Sequence, residues 1–337
     1  DEAIELFAQR GMGVVLCTPT SCPPLWLYEK YPDAVMVEKD GSPTRTGIRG
    51  HRCINHPSVL EKCEGIIRRM AEHYAGNKAV VAWQIDNELE AYFCYCEHCI
   101  SKYRAWLQRK YGTIEALNKA YGNVVWSGEY SAWSQIKPPY GSLPHAWQNP
   151  AYMLDFYRFC SENVIDFSNR QAAQLREHCP GRPVTTNVWF CEHMPDFYRQ
   201  FADLDFISYD NYPFDDHAVT DCTDYFQNMA IIAAAAKQQG LTWRPHLQAG
   251  SNWNDAAAEM SPTTNNTPSE GEFYWNANIS LAMGAKALQY FPLIQPQHFA
   301  LTEGGAMDYE RNGLIGANGV LTDWGRYATT LNTYVRK

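Results

Sequence analysis

The strongest constraint on the fold is a regular alternation between short β-branched runs and longer amphipathic stretches. The six short runs are hydrophobic and end in polar or aromatic residues, at 12–16, 80–85, 183–187, 206–209, 244–248 and 287–291. The longer stretches carry apolar residues at helical spacing and cover 60–74, 101–111, 153–178, 225–239 and 274–283. Strands that alternate with helices in this way predict βα units and a parallel sheet.

This is an α/β pattern, and it is compatible with a (β/α)8 TIM-type barrel; a single domain over residues 1–337 is the simplest interpretation. Six strands are two fewer than such a barrel needs. Either the barrel is incomplete at its N-terminus, with about six βα units present, or the strand count is wrong. Residues 112–150 are rich in Gly, Pro, Trp and Tyr, and are predicted to form an irregular insertion over one face of the sheet.

Charge and cysteine content narrow the class of protein. The formal net charge is −9, and no basic stripe is present, so the sequence does not predict a nucleic-acid partner. No apolar run approaches the roughly 18 residues of a membrane span, so no membrane partner is predicted. Of the eleven cysteines, seven are scattered singly, which favours reduced thiols in a cytoplasmic enzyme over a disulfide framework.

The stretch AVVAWQIDNELE is the most informative part of the sequence. A hydrophobic strand leads directly into Asp86, Asn87 and Glu88. Residues just past the carboxyl end of a barrel strand point into the active site, so Glu88 is placed to act as a general acid. Asn87 is placed to hydrogen-bond a sugar 2-hydroxyl. The alternative is that the Asn-Glu pair only caps the next helix.

Three cysteines stand close together in CYCEHC, at Cys94, Cys96 and Cys99. Three thiolates at this spacing repel one another unless a cation neutralises them, which indicates a metal site. Zinc takes four ligands tetrahedrally, so a fourth ligand is needed. The alternative is three free cysteines and no metal.

A series of longer motifs, in order along the chain, resembles glycoside hydrolase family 42, the β-galactosidases with a (β/α)8 catalytic barrel. The motifs are CTPTSCPPLWLYEKYPD, WQIDNEL, CYCEHC, YRAWLQRKYGTIEALNKAYGNVVWS, LDFYRFCSENVIDF, PVTTNV and DLDFISYDNYP. The resemblance is close over residues 1 to about 215 and looser beyond. It implies that two βα units precede Asp1, that later domains follow the barrel, and that the full-length protein is a homotrimer.

The resemblance also implies roles for individual residues. Glu88 corresponds to the acid/base of a retaining β-galactosidase. The implied substrate-binding residues are Arg49, Asn87, Trp253 and His298. Asp210, which follows the strand predicted at 206–209, is expected to bind a sugar hydroxyl. Some family members hold a structural zinc on four cysteines, and Cys53 stands where the family has the ligand that completes Cys94, Cys96 and Cys99.

The expected nucleophile is missing. The resemblance implies a Glu after the seventh barrel strand, but Gln248 stands nearest to that position, and no carboxylate lies between Arg244 and Trp253. An amide is a very poor glycosyl nucleophile. Three explanations stay open. Gln248 is an engineered replacement of Glu, the nucleophile lies elsewhere in the chain, or the site binds sugar without cleaving it. Gln295, where the family tends to have Glu, favours natural divergence. The candidate replacement carboxylates are Glu259, Glu270, Glu272 and Glu303.

The predicted function is hydrolysis of terminal β-D-galactosyl bonds, with Glu88 as acid/base and a β-galactoside or related oligosaccharide as partner. Two alternatives stay open. The first is another β-glycosidase or an α-L-arabinopyranosidase of the same fold, because L-arabinopyranose differs from D-galactose only by lacking the hydroxymethyl group. The second is a catalytically inactive carbohydrate-binding homologue.

Overall fold

The computed structural model of the chain describes residues 1–47, 49–139, 149–190, 193–212, 223–249, 269–294, 313–316 and 318–335. Contacts within the chain divide it into two compact units. Unit 1 comprises Asp1–Thr186 and Cys191–Leu204, and unit 2 comprises Asn187–Phe190 and Asp205–Lys337. The single domain predicted over 1–337 stays a prediction.

Unit 1 is built on a three-stranded parallel sheet in the order β1-β2-β3. The strands are β1 (Val14–Cys17), β2 (Val80–Gln84) and β3 (Val184–Thr185). The α-helices of this unit are α1 (Glu2–Ala8), α2 (Trp26–Lys30), α3 (Pro57–Tyr74), α4 (Glu97–Tyr111), α5 (Ile114–Tyr121), α6 (Pro150–His178) and α7 (Phe197–Gln200). Helix α3 connects β1 to β2, and α4 to α6 connect β2 to β3, so these connections form βα units.

Helix α3 shows how the sequence specifies a helix that covers the sheet. His56 caps its N-terminus, because the Nδ1 atom accepts a hydrogen bond from the Ser58 amide at 3.2 Å. Pro57 occupies the first turn, where its missing N–H costs nothing. The buried residues Val59, Cys63, Ile67 and Ala71 recur every four positions and form one apolar stripe.

A cluster of buried apolar residues joins α4, α5 and α6, and includes Leu107, Leu117 and Phe156. Helix α5 lies within the segment 112–150 that was predicted to be irregular, so that prediction was wrong for these residues. The Thr113 side chain caps the start of α5, and Gly122 ends it in the left-handed conformation. Residues 140–148 lie outside the described part of the chain.

Unit 2 is built on a four-stranded parallel sheet in the order β4-β5-β6-β7. Its strands are β4 (Asn187–Val188), β5 (Phe206–Asn211), β6 (Thr242–Gln248) and β7 (Gln289–Phe291), and its helices are α8 (Thr223–Gln239), α9 (Glu270–Ala282) and α10 (Asp323–Val335). All six residues of β5 are buried, as is typical of parallel strands covered on both faces. Helices α9 and α10 bury Phe273, Ala277, Trp324 and Ala328 in one cluster with Leu247 of β6.

The strands match the sequence prediction closely. Each of the six predicted runs overlaps a strand, and the third run is divided at Thr186 into β3 and β4. Helices α3 and α6 begin at Pro57 and Pro150, each three residues ahead of its predicted start. Proline and capping residues fill these first turns, so the apolar periodicity starts later than the helix does. No helix among the described residues is long and apolar enough to cross a membrane.

We predict that Leu117→Ala in the whole protein lowers the free energy of unfolding by about 2–5 kcal/mol, because it leaves a cavity in a fully buried site. The matched control is Leu25→Ala, since Leu25 is exposed and its truncation should change stability by less than about 0.5 kcal/mol. Urea denaturation followed by circular dichroism measures both. Equal losses for the two variants would contradict the described core.

Candidate active site

The carboxyl end of β2 carries the predicted acid/base. After Gln84 the chain continues through Ile85 to Asp86, Asn87 and Glu88. Asp86 and Glu88 both have positive φ angles, of 52° and 46°. Non-glycine residues rarely adopt this conformation, and it costs about 1–3 kcal/mol for each residue. Such strain persists only where the surroundings hold it, and it concentrates at functional sites.

The Glu88 carboxylate contacts two of the residues predicted to bind substrate. Its Oε2 atom accepts a hydrogen bond from Asn87 Nδ2 at 2.9 Å and lies 2.9 Å from Arg49 Nη1. The Glu88 side chain is 15% exposed and that of Arg49 is 43% exposed, so the pair lies where a ligand has access. The structure thus brings together Glu88, Asn87 and Arg49, and their roles stay predictions.

Asp86, which directly precedes Asn87, forms a buried ion pair with Arg52. The sequence analysis did not predict this ion pair. The Nη2 atom of Arg52 donates to Asp86 Oδ2 at 2.7 Å, and both side chains are 0% exposed. Burial lowers the pKa of the Arg52 guanidinium, but the charge of Asp86 and the contact with Tyr92 outweigh this effect and raise it. Arg52 therefore stays charged inside the protein.

Threonines of the segment after β1 complete the environment of Asp86. The Asp86 amide donates to Thr18 Oγ1 at 2.8 Å, and the Thr20 hydroxyl donates to the Asp86 carboxylate. Thr18 Oγ1 donates in turn to Gln171 Oε1 at 2.9 Å, on α6. No sequence pattern indicates this network, because its members come from separate segments and are joined only by the fold.

Asp210 was predicted to follow a strand. It lies instead inside β5, which extends to Asn211. The prediction that the strand ends at 209 was therefore wrong. Asp210 is buried in unit 2, where Asn187 Nδ2 donates to its Oδ2 atom at 2.7 Å and His246 Nδ1 lies 2.5 Å from its Oδ1 atom. Its predicted role as a sugar-hydroxyl ligand stays a prediction.

The position expected for the nucleophile can be described by its backbone. Gln248 is the last residue of β6 and pairs with Phe291 of β7. Gln248 therefore stands at a carboxyl end of a parallel strand, as the sequence predicted. The other residues predicted for this part of the site lie outside the described residues; they are Trp253, Glu259, Gln295, His298 and Glu303.

The remaining two candidate carboxylates lie at the start of a helix. Glu270 and Glu272 are exposed in the first turn of α9. The Glu272 carboxylate accepts from the Ser269 amide at 2.7 Å, and Ser269 Oγ accepts from the Glu272 amide at 3.4 Å. This capping box satisfies backbone donors at the start of the helix and accounts for Glu272 without chemistry.

The four predicted metal ligands converge. The sulfur atoms of Cys53, Cys94, Cys96 and Cys99 all lie within 4.8 Å of one another, and all four residues are buried. Cys53 Sγ lies 3.4 Å from Cys96 Sγ and 3.6 Å from Cys99 Sγ. This geometry suits one metal ion at the centre of four thiolates. Asn55 adds to the site, because its Nδ2 atom donates to Cys99 Sγ at 3.1 Å.

A neighbouring group of Asp33, His56 and His98 also brings potential ligand atoms together. Its contacts are those of a hydrogen-bonded cap. His56 Nδ1 accepts from the Ser58 amide, so Nε2 carries the ring proton, and it lies 3.2 Å from Asp33 Oδ1. His98 Nε2 lies 3.8 Å from Asp33 Oδ2. His98 stands within the CYCEHC motif, but the four-cysteine group is complete without it.

Parallel βα units with a glutamate and an asparagine after a strand, beside an arginine from another segment, are features of a barrel glycoside hydrolase. The sequence profile described as Beta-galactosidase, Glyco_hydro_42, matches residues 1–303. The chain belongs to glycoside hydrolase family 42.

Curated relatives agree with this assignment. The chain is 52% identical over 213 residues to the beta-galactosidase BgaA of Clostridium cellulovorans, a match that covers 63% of the chain and 32% of the relative. It is 41% identical over 216 residues to a beta-galactosidase of Thermus thermophilus, covering 63% and 33%. The chain thus spans about a third of the length of these relatives.

Solved structures of the same kind match nearly the whole chain. A beta-galactosidase from the psychrophilic Marinomonas ef1 gives a TM-score of 0.85 at 26% identity, over 100% of the chain and 51% of that structure. One from Halorubrum lacusprofundi gives 0.84 at 31% identity, over 97% and 48%. The predicted family and the predicted fold class, an incomplete (β/α)8 barrel, are confirmed.

Proposed function

We propose that the whole protein hydrolyses terminal β-D-galactosyl bonds and that Glu88 is its acid/base. The observation that carries the proposal is the Glu88 carboxylate at the carboxyl end of β2, held by Asn87 and Arg49 at 2.9 Å each. The beta-galactosidase names of the curated relatives support the choice of sugar.

The proposed chemistry has two steps. In the first, Glu88 protonates the oxygen of the leaving group while a second carboxylate, from a residue other than 248, bonds to the anomeric carbon and the glycosidic bond breaks. In the second, Glu88 removes a proton from the water that displaces this carboxylate and releases galactose. Asn87 binds the substrate 2-hydroxyl, a contact that strengthens in an oxocarbenium-like transition state. Arg49 binds other hydroxyl groups of the sugar, and its partial exposure leaves its donors accessible to a ligand.

We predict that Glu88→Ala lowers kcat/KM for lactose by about 10²–10⁴-fold, because proton transfer to the leaving oxygen is lost. Added azide should restore turnover of an activated nitrophenyl β-galactoside and yield galactosyl azide. Glu115→Ala, on the exposed face of α5, is the matched control and should retain wild-type rates. Unchanged lactose hydrolysis in Glu88→Ala would remove Glu88 from the mechanism.

A second candidate function is sugar binding without catalysis, and Gln248 is the observation that favours it. Retaining hydrolysis requires a second carboxylate about 5–5.5 Å from the first, whereas inversion uses a separation of about 6.5–9.5 Å. Our proposal requires that a residue other than 248 supplies this second carboxylate. Binding without catalysis requires that Gln248 marks a silenced nucleophile.

The variant Gln248→Glu separates the two. We expect the wild-type protein to turn over nitrophenyl β-galactoside and Gln248→Glu to bring no gain. An inactive wild type that gains activity from Gln248→Glu would instead establish the sugar-binding alternative. NMR of the first-formed anomer distinguishes retention from inversion. A panel of nitrophenyl glycosides that includes α-L-arabinopyranoside separates β-galactosidase activity from that of the other glycosidases considered.

We further propose that the four cysteines hold one structural zinc ion. Tetrahedral zinc with Zn–S bonds of about 2.3 Å holds its sulfurs about 3.8 Å apart, and the sulfur separations of 3.4 and 3.6 Å are close to this value. Four protein ligands leave no open position for substrate. The ion would tie the segment of Cys53, which carries Arg49, to the segment that follows Glu88.

We predict one zinc per chain in the whole protein and its loss in Cys96→Ser, with a lower melting temperature, because three thiolates no longer close the site. Cys22→Ser is the matched control, since Cys22 is exposed and stands apart from the cluster. Elemental analysis by mass spectrometry and calorimetry measure both quantities. Full zinc content in Cys96→Ser would contradict the four-cysteine site.

A cytoplasmic location and a homotrimer complete the proposal. None of the nine cysteines in the described residues forms a disulfide, which supports a reducing compartment. The homotrimer is supported only by the resemblance of the sequence to the family.

A further inference from the structure

We propose that the buried Arg52–Asp86 ion pair is a positioning device for Glu88, which sets the direction of its carboxylate without touching substrate. This inference rests on the proposed role of Glu88 as acid/base. Arg52 and Asp86 are both 0% exposed, so neither side chain can reach a sugar. Their effect on the reaction must therefore pass through the residues they hold.

The Asp86 carboxylate receives three donors. Arg52 Nη2 donates at 2.7 Å, the Asn87 amide donates to Oδ1 at 2.8 Å, and the Thr20 hydroxyl donates to Oδ2. The amide of Asp86 itself donates to Thr18 Oγ1 at 2.8 Å. Asp86 is thus held through both its side chain and its backbone. The buried Arg52 guanidinium is one of the groups that hold it.

These bonds continue without a break to the proposed acid/base. Asp86 Oδ1 holds the amide of Asn87, and Asn87 Nδ2 holds Glu88 Oε2 at 2.9 Å. The backbone around this chain has φ of 52° at Asp86 and 46° at Glu88. Without the bonds, the backbone would relax toward negative φ and turn the Glu88 carboxylate away from its present direction.

Arg52 couples this chain to a second segment of the site. Arg49 stands three residues before Arg52, and its Nη1 atom lies 2.9 Å from Glu88 Oε2. The Arg52 guanidinium lies 5.4 Å from the Tyr92 ring centre and 5.6 Å from that of Phe167, which keep water from the pair. One ion pair therefore fixes both the segment of the acid and the segment of its arginine partner.

Stability alone gives a poor account of this pair. Apolar residues of similar size often stabilise a protein as well as a buried ion pair does, or better. The bonds of Asp86 also differ from those of Asp155, a second buried aspartate in unit 1. Asp155 is held by Lys110, Tyr111 and Tyr121, which belong to the contacts among α4, α5 and α6. Asp155 is therefore a matched control for loss of a buried carboxylate.

The test is the dependence of kcat/KM on the leaving group, because a misdirected acid harms only substrates that need protonation. The whole protein, Asp86→Asn, Thr20→Val and Asp155→Asn are compared on phenyl and dinitrophenyl β-galactosides. In Asp86→Asn we expect a loss of about 10²-fold or more for phenyl galactoside, and of less than about 10-fold for dinitrophenyl galactoside, which departs unprotonated. Thr20→Val removes one donor and no charge. It should show the same dependence on the leaving group, with a smaller loss of kcat/KM.

Asp155→Asn should lower kcat/KM for both galactosides by the same factor, because a loss of folded protein affects the two substrates equally. Uniform losses in Thr20→Val and in any folded Asp86→Asn would overturn the positioning role. If Asp86→Asn does not fold, Thr20→Val decides alone, and the same loss on both substrates, or none, counts against the proposal. A wild-type protein that cleaves neither galactoside would overturn the proposed function itself, and the positioning role with it.

Discussion

Arg52 and Asp86 stand 34 positions apart in the chain and meet where no solvent reaches either side chain. Removing one member would leave an uncompensated charge in the interior, at a cost of about 3–5 kcal/mol. The strained backbone at Asp86, the Asn87 amide and the Glu88 carboxylate all depend on this contact. The candidate active site is therefore held from inside the protein, whereas the groups that meet substrate need only be partly exposed.

The cysteine cluster joins the same two segments, which follow β1 and β2. Cys53 directly follows Arg52, and Cys94 lies six residues beyond Glu88. A metal ion among the four sulfurs would thus hold the first segment directly beside Arg52 and the second segment beyond Glu88, while the ion pair holds the second segment just before Glu88. Two separate contacts, one ionic and one of thiolates, restrict the same loops after β1 and β2.

The sequence predicts the strands well, because a buried parallel strand has a clear local signal of β-branched and apolar residues. Helix starts were less accurate, since capping residues lack apolar periodicity. Helix α5 was missed although Leu117 and Tyr121 share one buried face, because its eight residues give only about two turns of that pattern. Glu88 and Asn87 could be found because they directly follow a strand, and Cys53 only by resemblance to a family. Arg52, Thr18 and Thr20 could not be found, since a lone arginine or threonine carries no pattern that identifies its partner.

The hydrogen-bonded histidine beside the cysteines limits which ions the region can accept. His56 uses the Nδ1 lone pair for the Ser58 amide, so Nε2 carries the ring proton and could ligate a metal only at the expense of that cap bond or of that proton. The four thiolates can complete a tetrahedral site without this imidazole, and soft sulfur ligands select zinc or copper(I) over magnesium or calcium. The cap hydrogen bond on α3 thus keeps the His56 imidazole engaged beside the sulfur site.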